Sequence, residues 1–387
     1  MTVLGWAGTR PENLPDGAEP AVAVPGVEQI LFAVRRTYDD SHWYANIGYF
    51  CDDENQKARS GDGGPAEGRL MISGDSRPEH TKTCNTTQEV ESMRLLTCRT
   101  ASGVRLAARR GDELVDLNQA DPQLPVSLRE LLAMGAPGLE RAGQALAVAP
   151  SLDTPWAWLP PIPDPQKVIC VGLNYADHAA ESGLAIPDQP VIFNKFPSTL
   201  IGHHDPIELP ACSNQVDYEA ELVVVLGRSG RNIPEAEAMN YVAGYTCGHD
   251  VSARDWQTGT PAGQWLLGKT FDTFAPVGPE LVTADEVPSP GQLGIQLRLN
   301  GQIMQQSNTG QLIFPIAHLI HYVSQVCTLN VGDLLFTGTP PGVGVARQPQ
   351  VFLRAGDEVE VEIETIGVLS NRVAAAAARS EADSQPS

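Results

Sequence analysis

The stretch VDYEAELVVVLG, Val216–Gly227, decides the fold. Asp217, Glu219 and Glu221 fall at i, i+2 and i+4, so in a strand their side chains share one face. The strand then runs into Val223, Val224 and Val225, which read as buried. Like charges on one face repel unless something positive sits between them, and carboxylates entering a buried strand need a partner. A bound cation would serve. The plainer reading is a strand edge with a solvated acidic face. Glu358, Glu360, Glu362 and Glu364 show that reading, because Val359, Val361 and Ile363 alternate cleanly with them. Spacing alone leaves both readings open.

Four further stretches carry candidate chemistry. In GYTCGHDVSARDWQ, 244–257, a strand through Tyr245 and Cys247 would deliver Asp250 at its end, where it could complete a three-carboxylate site with Glu219 and Glu221. Oxygen-only ligands favour Mg²⁺, with Mn²⁺ or Ca²⁺ as alternatives, over Zn²⁺. His249 would point to the opposite face and pack in the core. Arg254 and Gln257, one turn on, could meet a substrate carboxylate or carbonyl. In VGLNYADHAAESG, 171–183, His178 and Glu181 share one helix face, as an imidazole and the carboxylate that orients it would. The flanking Gly172 and Gly183 suit a lid. In LLGKTFDTFAPVGP, 266–279, Lys269 stands in an apolar stretch, where it binds an anion, forms a Schiff base or snorkels to the surface. In FTGTPPGVG, 336–344, a Gly- and Pro-rich loop offers backbone N–H groups and the Thr339 hydroxyl to a carboxylate. No GK[ST] follows, so it is not a phosphate loop.

The chain has 387 residues and a formal charge of −21, from 47 Asp plus Glu against 26 Lys plus Arg. That balance argues against a nucleic-acid partner, since such affinity comes from basic side chains neutralising phosphates. Apolar residues make up 42%, enough for a core, while 36 Gly and 31 Pro favour a turn-rich, β-rich α+β protein. Seven scattered Cys without a CxxC pair read as reduced thiols. With no apolar run near the ~20 residues of a membrane span, the expected location is cytoplasmic.

Composition divides the chain into 1–92, an unassigned, partly disordered extension; 93–160, a small N-terminal α+β domain; 161–373, the motif-rich domain; and 374–387, a frayed tail. Met93 looks like a natural start. WAWLPPIPDPQ, Trp156 to Gln166, reads as a Pro-rich linker.

From about Lys167 to Val373 the chain resembles the catalytic domain of the fumarylacetoacetate hydrolase family. The carrying stretches are VGLNYADHAAE, DYEAELVVVLG, AGYTCGHDVSARDWQ, GKTFDTF, NVGDLLFTGTPPGVG and AGDEVEVEI. The segment 93–160 is similar to that family's small N-terminal domain, and 1–92 has no counterpart. The details look most like the branch of mitochondrial domain-containing proteins and their bacterial relatives. The resemblance implies a mixed β-sandwich roll in a homodimer. It implies Mg²⁺ held by Glu219, Glu221 and Asp250, a lid dyad of His178 and Glu181, and Lys269 beside the metal at the substrate oxyanion. It further implies substrate contacts from Tyr175, Arg254, Gln257 and Thr339. The implied activity is C–C hydrolysis, decarboxylation or isomerisation of a small 2-oxo acid through a metal-stabilised enolate. Oxaloacetate enol–keto tautomerase or a ureidoglycolate lyase-like activity is the alternative. Leu173 departs from the pattern, because acylpyruvase-like members often carry Arg there. Two rivals stand beside this reading: a metal-free Schiff-base lyase using Lys269, and a non-catalytic scaffold.

Overall fold

The strand Ala220–Leu226 is buried along its whole length. It lies inside an 11-stranded sheet between Val242–His249 and Leu334–Phe336, antiparallel to both. Both of its faces are covered, which explains an apolar run without alternation. Val223 and Val225 pack with Leu95, Leu106, Leu128 and Leu131. Leu222 and Val224 pack on the other side with Leu297, Val359, Val361 and Leu369. Each such side chain contributes about 1.5–3 kcal/mol by leaving water. These observations come from a computed structural model that describes residues 93–152, 156–183, 185–261 and 263–375. The expectations for 1–92 and for the tail beyond 375 lie outside the described residues.

Along its main path the large sheet runs Glu113–Asp116, Gly103–Arg110, Arg94–Thr100, Ala275–Thr283, Val242–His249, Ala220–Leu226, Leu334–Phe336, Val168–Gly172 and Val191–Lys195. A five-stranded sheet runs Gln302–Asn308, Gly294–Leu299, Glu358–Ile363, Gly367–Ala375 and Ile207–Leu209. The two sheets and the helices Leu128–Ala133, Ala136–Val148 and Ile316–Val326 make the expected β-rich α+β fold. Ser127 caps the first of these helices, its side chain accepting from Glu130 N–H.

The segment 93–160 supplies four strands and three helices, and its strand Arg94–Thr100 hydrogen-bonds to Ala275–Thr283 of the main sheet. Three features differ from the sequence reading. Trp156–Trp158, expected as linker, pairs with Cys98–Thr100. Ala275–Thr283 is a nine-residue strand hidden in the sequence by Pro276 and Pro279, which weaken any strand signal. The acidic stretch is not one strand either. Val216–Asp217 pairs with Ser252–Ala253, and the long strand restarts at Ala220.

Candidate active site

That restart separates the three acids. Glu219 sits at the break and Glu221 one step into the central strand, opposite Gly248. The Asp250 N–H donates to the Glu219 carbonyl at 2.9 Å, which closes the ladder and brings the two carboxylates to one end of it. Glu219, Glu221 and Asp250 are all buried, and one oxygen from each lies within 4.8 Å of the others. Asp217 belongs elsewhere, bonded to Arg254 and to the amides of Gly344 and Val345.

Three cations surround these acids. Lys269 Nζ donates to Glu219 Oε2 at 2.7 Å and to Asp250 Oδ2 at 2.8 Å. Lys195 Nζ donates to Asp250 Oδ1 at 2.5 Å and to the Val251 carbonyl at 3.0 Å. Arg254 spreads over Asp217, Glu219 and Gln257 through Nε, Nη2 and Nη1. Gly268 lets Lys269 reach this place: a Cβ there would lie 2.6 Å from Gln257 Cα, so only glycine allows the two short helices to touch. Lys269 also stands 5.1 Å from the centre of the Phe193 ring.

Charge is uneven across the cluster. Burial alone would raise Glu219, but Lys269 and Arg254 outweigh it and bring the carboxyl down to about 2. Glu221 goes the other way. Burial first, then Asp250 and Glu219, push it well above the ordinary range, and among the described residues it forms no ion pair. Its one hydrogen bond among the described residues is from Gly338 N–H, at 2.7 Å to Oε2. Burial tends to lower Lys269, yet Asp250 and Glu219 raise it above an ordinary lysine, so it is held protonated. Four buried carboxylates thus face three cations, and the excess sits at Glu221. An all-oxygen, electron-rich cluster with one unpaired member fits a hard divalent cation.

Four amides of the loop 336–345 already serve carboxylates of the chain. Gly338 N–H serves Glu221, Gly342 N–H serves Glu181, and Gly344 and Val345 N–H serve Asp217. At Gly338 and Gly342 the φ angles are +102° and +101°, and a Cβ at Gly342 would lie 2.2 Å from the Met304 carbonyl. Thr339 is fixed by Gln305, whose amide donates to its Oγ1 and to the Pro340 carbonyl while its carbonyl accepts from Ala220.

His178 and Glu181 lie on the helix Ala176–Ser182, with Nδ1 and Oε2 3.3 Å apart. Gly183, at φ +65°, caps that helix. Asn174 anchors its entry by bonding Thr337 and Phe314. Tyr175 is fully buried, its hydroxyl without a hydrogen-bond partner among the described residues. His249 is buried against the core as expected, and burial followed by Lys195 lowers it to about 3.

Arg254 was expected at the substrate, but the structure commits its guanidinium to Asp217, Glu219 and Gln257. Lys195 was missed by the sequence reading. Its signal is faint: one lysine closing the apolar strand Val191–Lys195. Gln305 was missed as well, since nothing sets it apart in the polar run QIMQQSN.

A buried oxygen cluster, a protonated lysine and an imidazole–carboxylate pair on this roll define a class. Residues 167–374 match the family described as fumarylacetoacetate (FAA) hydrolase C-terminal, and the chain belongs to that family of enzymes. Among its relatives is the oxaloacetate tautomerase fahd2, mitochondrial, of Xenopus laevis, 50% identical over 272 residues, which are 70% of this chain and 85% of that one. Oxaloacetate tautomerase FAHD2B, mitochondrial, of Homo sapiens is 49% identical over 69% of this chain and 86% of its own. A putative HpcE protein from Mycobacterium smegmatis superimposes with a TM-score of 0.67 at 42% identity, covering 74% of this chain and all of that one. Maleylpyruvate hydrolase from Sphingobium sp. SYK-6, solved with manganese(II) and pyruvate, gives 0.61 at 30% identity over 74% of this chain and 100% of its own.

The relatives correct one expectation. A cytoplasmic location was inferred from reduced thiols and the lack of an apolar span, yet these relatives are mitochondrial by name. Thiol chemistry separates reducing from oxidising surroundings and cannot tell one reducing compartment from another. Among the described residues no helix is long and apolar enough to cross a membrane.

Proposed function

We propose that this chain interconverts the enol and keto forms of a small 2-oxo dicarboxylic acid of the oxaloacetate type. Glu219, Glu221 and Asp250 would hold a divalent cation, Mg²⁺ first, with Mn²⁺ or Ca²⁺ as substitutes. The observation that carries the reading is the buried three-carboxylate cluster with its unpaired Glu221. In support stand relatives near 50% identity over most of their length that are named for oxaloacetate tautomerisation.

A bound divalent cation supplies positive charge that polarises a 2-oxo group and makes the neighbouring C–H more acidic. The rest is work for side chains. Lys269, held protonated between Glu219 and Asp250, adds a fixed positive charge for a developing oxyanion. His178 turns Nδ1 to Glu181, which leaves Nε2 to move the proton. In the enol-to-keto direction the enol oxygen loses its proton and the adjacent carbon gains one, so atoms balance without water. Glu181 is itself held by Gly342 N–H, which fixes the imidazole's orientation. Gln257, Thr339 and the unpartnered Tyr175 hydroxyl are the proposed substrate contacts, whereas Arg254 shapes the cluster from behind. Lys269 Nζ donates to both Glu219 and Asp250, which argues against the Schiff-base rival, because an imine requires the free amine.

C–C hydrolysis of an acylpyruvate is the second reading, favoured by the likeness to maleylpyruvate hydrolase. It would use the same residues with His178 activating water. A homodimer belongs to the same proposal. Exposed Val191, Ile192, Phe196, Trp265 and Leu267 on and around the terminal strand of the large sheet support it, and light scattering would test it.

The test is the decay of enol-oxaloacetate absorbance. Turnover should vanish with EDTA and return with Mg²⁺ or Mn²⁺. A wild-type rate in EDTA would contradict the reading, and cleavage of acylpyruvates without enol turnover would favour hydrolysis.

A further inference from the structure

The chemistry above leaves Asp217 without a task, although it is wholly buried. All four of its bonded neighbours are donors. Oδ1 accepts from Tyr218 N–H at 2.8 Å and Gly344 N–H at 2.7 Å. Oδ2 accepts from Arg254 Nε at 2.8 Å and Val345 N–H at 3.0 Å. The carboxyl is thus held by donors on both oxygens, one of them a guanidinium. Gly344 is shaped to it as well: a Cβ there would stand 2.6 Å from Asp217 Oδ1 and 1.8 Å from the Val351 carbonyl. Beyond Asp217, Arg254 reaches Glu219 Oε1 at 2.6 Å and Gln257 Oε1 at 2.8 Å.

We propose that Asp217 is a positioning residue that aims Arg254 and anchors the 338–345 loop, so that Glu219, Gln257 and the loop-bound Glu221 and Glu181 form one rigid frame. This rests on the reading of Glu219, Glu221 and Asp250 as cation ligands. Without Asp217 the guanidinium keeps its charge but loses the contact that fixes its plane, and Glu219 loses its aim. Groups that orient metal ligands in this way are worth about 10–100-fold in metal affinity or activity.

The experiment is a Mn²⁺ titration of the full chain by calorimetry, with enol turnover measured alongside, for wild type, Asp217→Asn, Arg254→Lys and the double variant. Asp217→Asn should raise the Mn²⁺ Kd and lower kcat by about 10–100-fold each. The double variant should be little worse than Arg254→Lys alone, because both changes break one chain of contacts. A folded Asp217→Asn with a lower Tm but an unchanged Kd and kcat would overturn the proposal and leave Asp217 a stabilising residue only. Additive losses in the double variant would also overturn it. If Asp217→Asn does not fold, Asp217→Glu replaces it: it keeps the acceptors but displaces the guanidinium, and a wild-type Kd and kcat there would count against the idea. If wild type takes up no Mn²⁺, the metal reading fails, and the same cycle read in kcat still decides the role of Asp217.

Discussion

Two stretches of this chain space their acids two apart and treat them in opposite ways. In Glu358–Ile363 the glutamates alternate with Val359, Val361 and Ile363, and only the apolar side is buried. Glu360 and Glu362 reach sideways to Arg298 in partly exposed pairs. In Asp217–Glu221 the acids run into a strand covered on both faces, and all three are buried. Each is assigned instead to a lysine, an arginine or a backbone N–H. An acid pattern therefore says little until the residues after it are read. Clean alternation leaves one face to solvent, and an unbroken apolar run removes that option.

The contrast can be broken at several points. Glu221→Gln should have the largest effect. Turnover should fall by at least about 10³-fold, the loss of several kcal/mol of charge stabilisation. The metal-free protein should melt no lower than wild type, because the change removes a buried carboxylate that no cation pairs with. A fluorimetric melt beside the enol assay checks both halves.

Deleting a cation should separate the two stretches next. Lys269→Met removes the cation that Glu219 and Asp250 share, leaving Arg254 to the one and Lys195 to the other, and should cost about 3–5 kcal/mol of stability. Its kcat should fall by about 10²–10³-fold. Arg298→Met on the open strand should cost no more than about 1 kcal/mol and leave turnover alone. Equal losses in urea melts of the two variants would erase the distinction.

Glu181 is the intermediate case, an exposed acid held by one backbone amide. His178→Ala should lower kcat by about 10²-fold while the Mn²⁺ Kd stays put. The smallest effect belongs to Glu362. Hydrogen bonds from Arg298, then Gln296, lower its carboxyl, so it stabilises above the ordinary carboxylate pKa and the gain fades as pH falls through the lowered value. Glu362→Gln should flatten that acid limb by no more than about 1 kcal/mol, with activity unchanged.

Much of the fold was legible because periodicity reports burial. The central strand, the alternating Glu358–Ile363 strand and the helix Ile316–Val326 all announce themselves. Ala275–Thr283 did not, because its prolines are tolerated only through shifts in register that no local rule foresees. The meeting of Glu219, Glu221 and Asp250 was readable from a strand ending and its neighbour beginning. The separation of Asp217 was not, since it depends on the break at Tyr218 and on donors more than a hundred residues away. Loop chemistry was half legible: the glycines mark exposed amides, but which carboxylates those amides hold is set by tertiary contact.

The most direct test is a Mn²⁺ titration of wild type beside Glu221→Gln, read by calorimetry on the folded full chain. One ion bound per wild-type chain and none detectable in Glu221→Gln is the expected result. Equal binding by the two, or none by wild type, would contradict a cation site built on that buried strand.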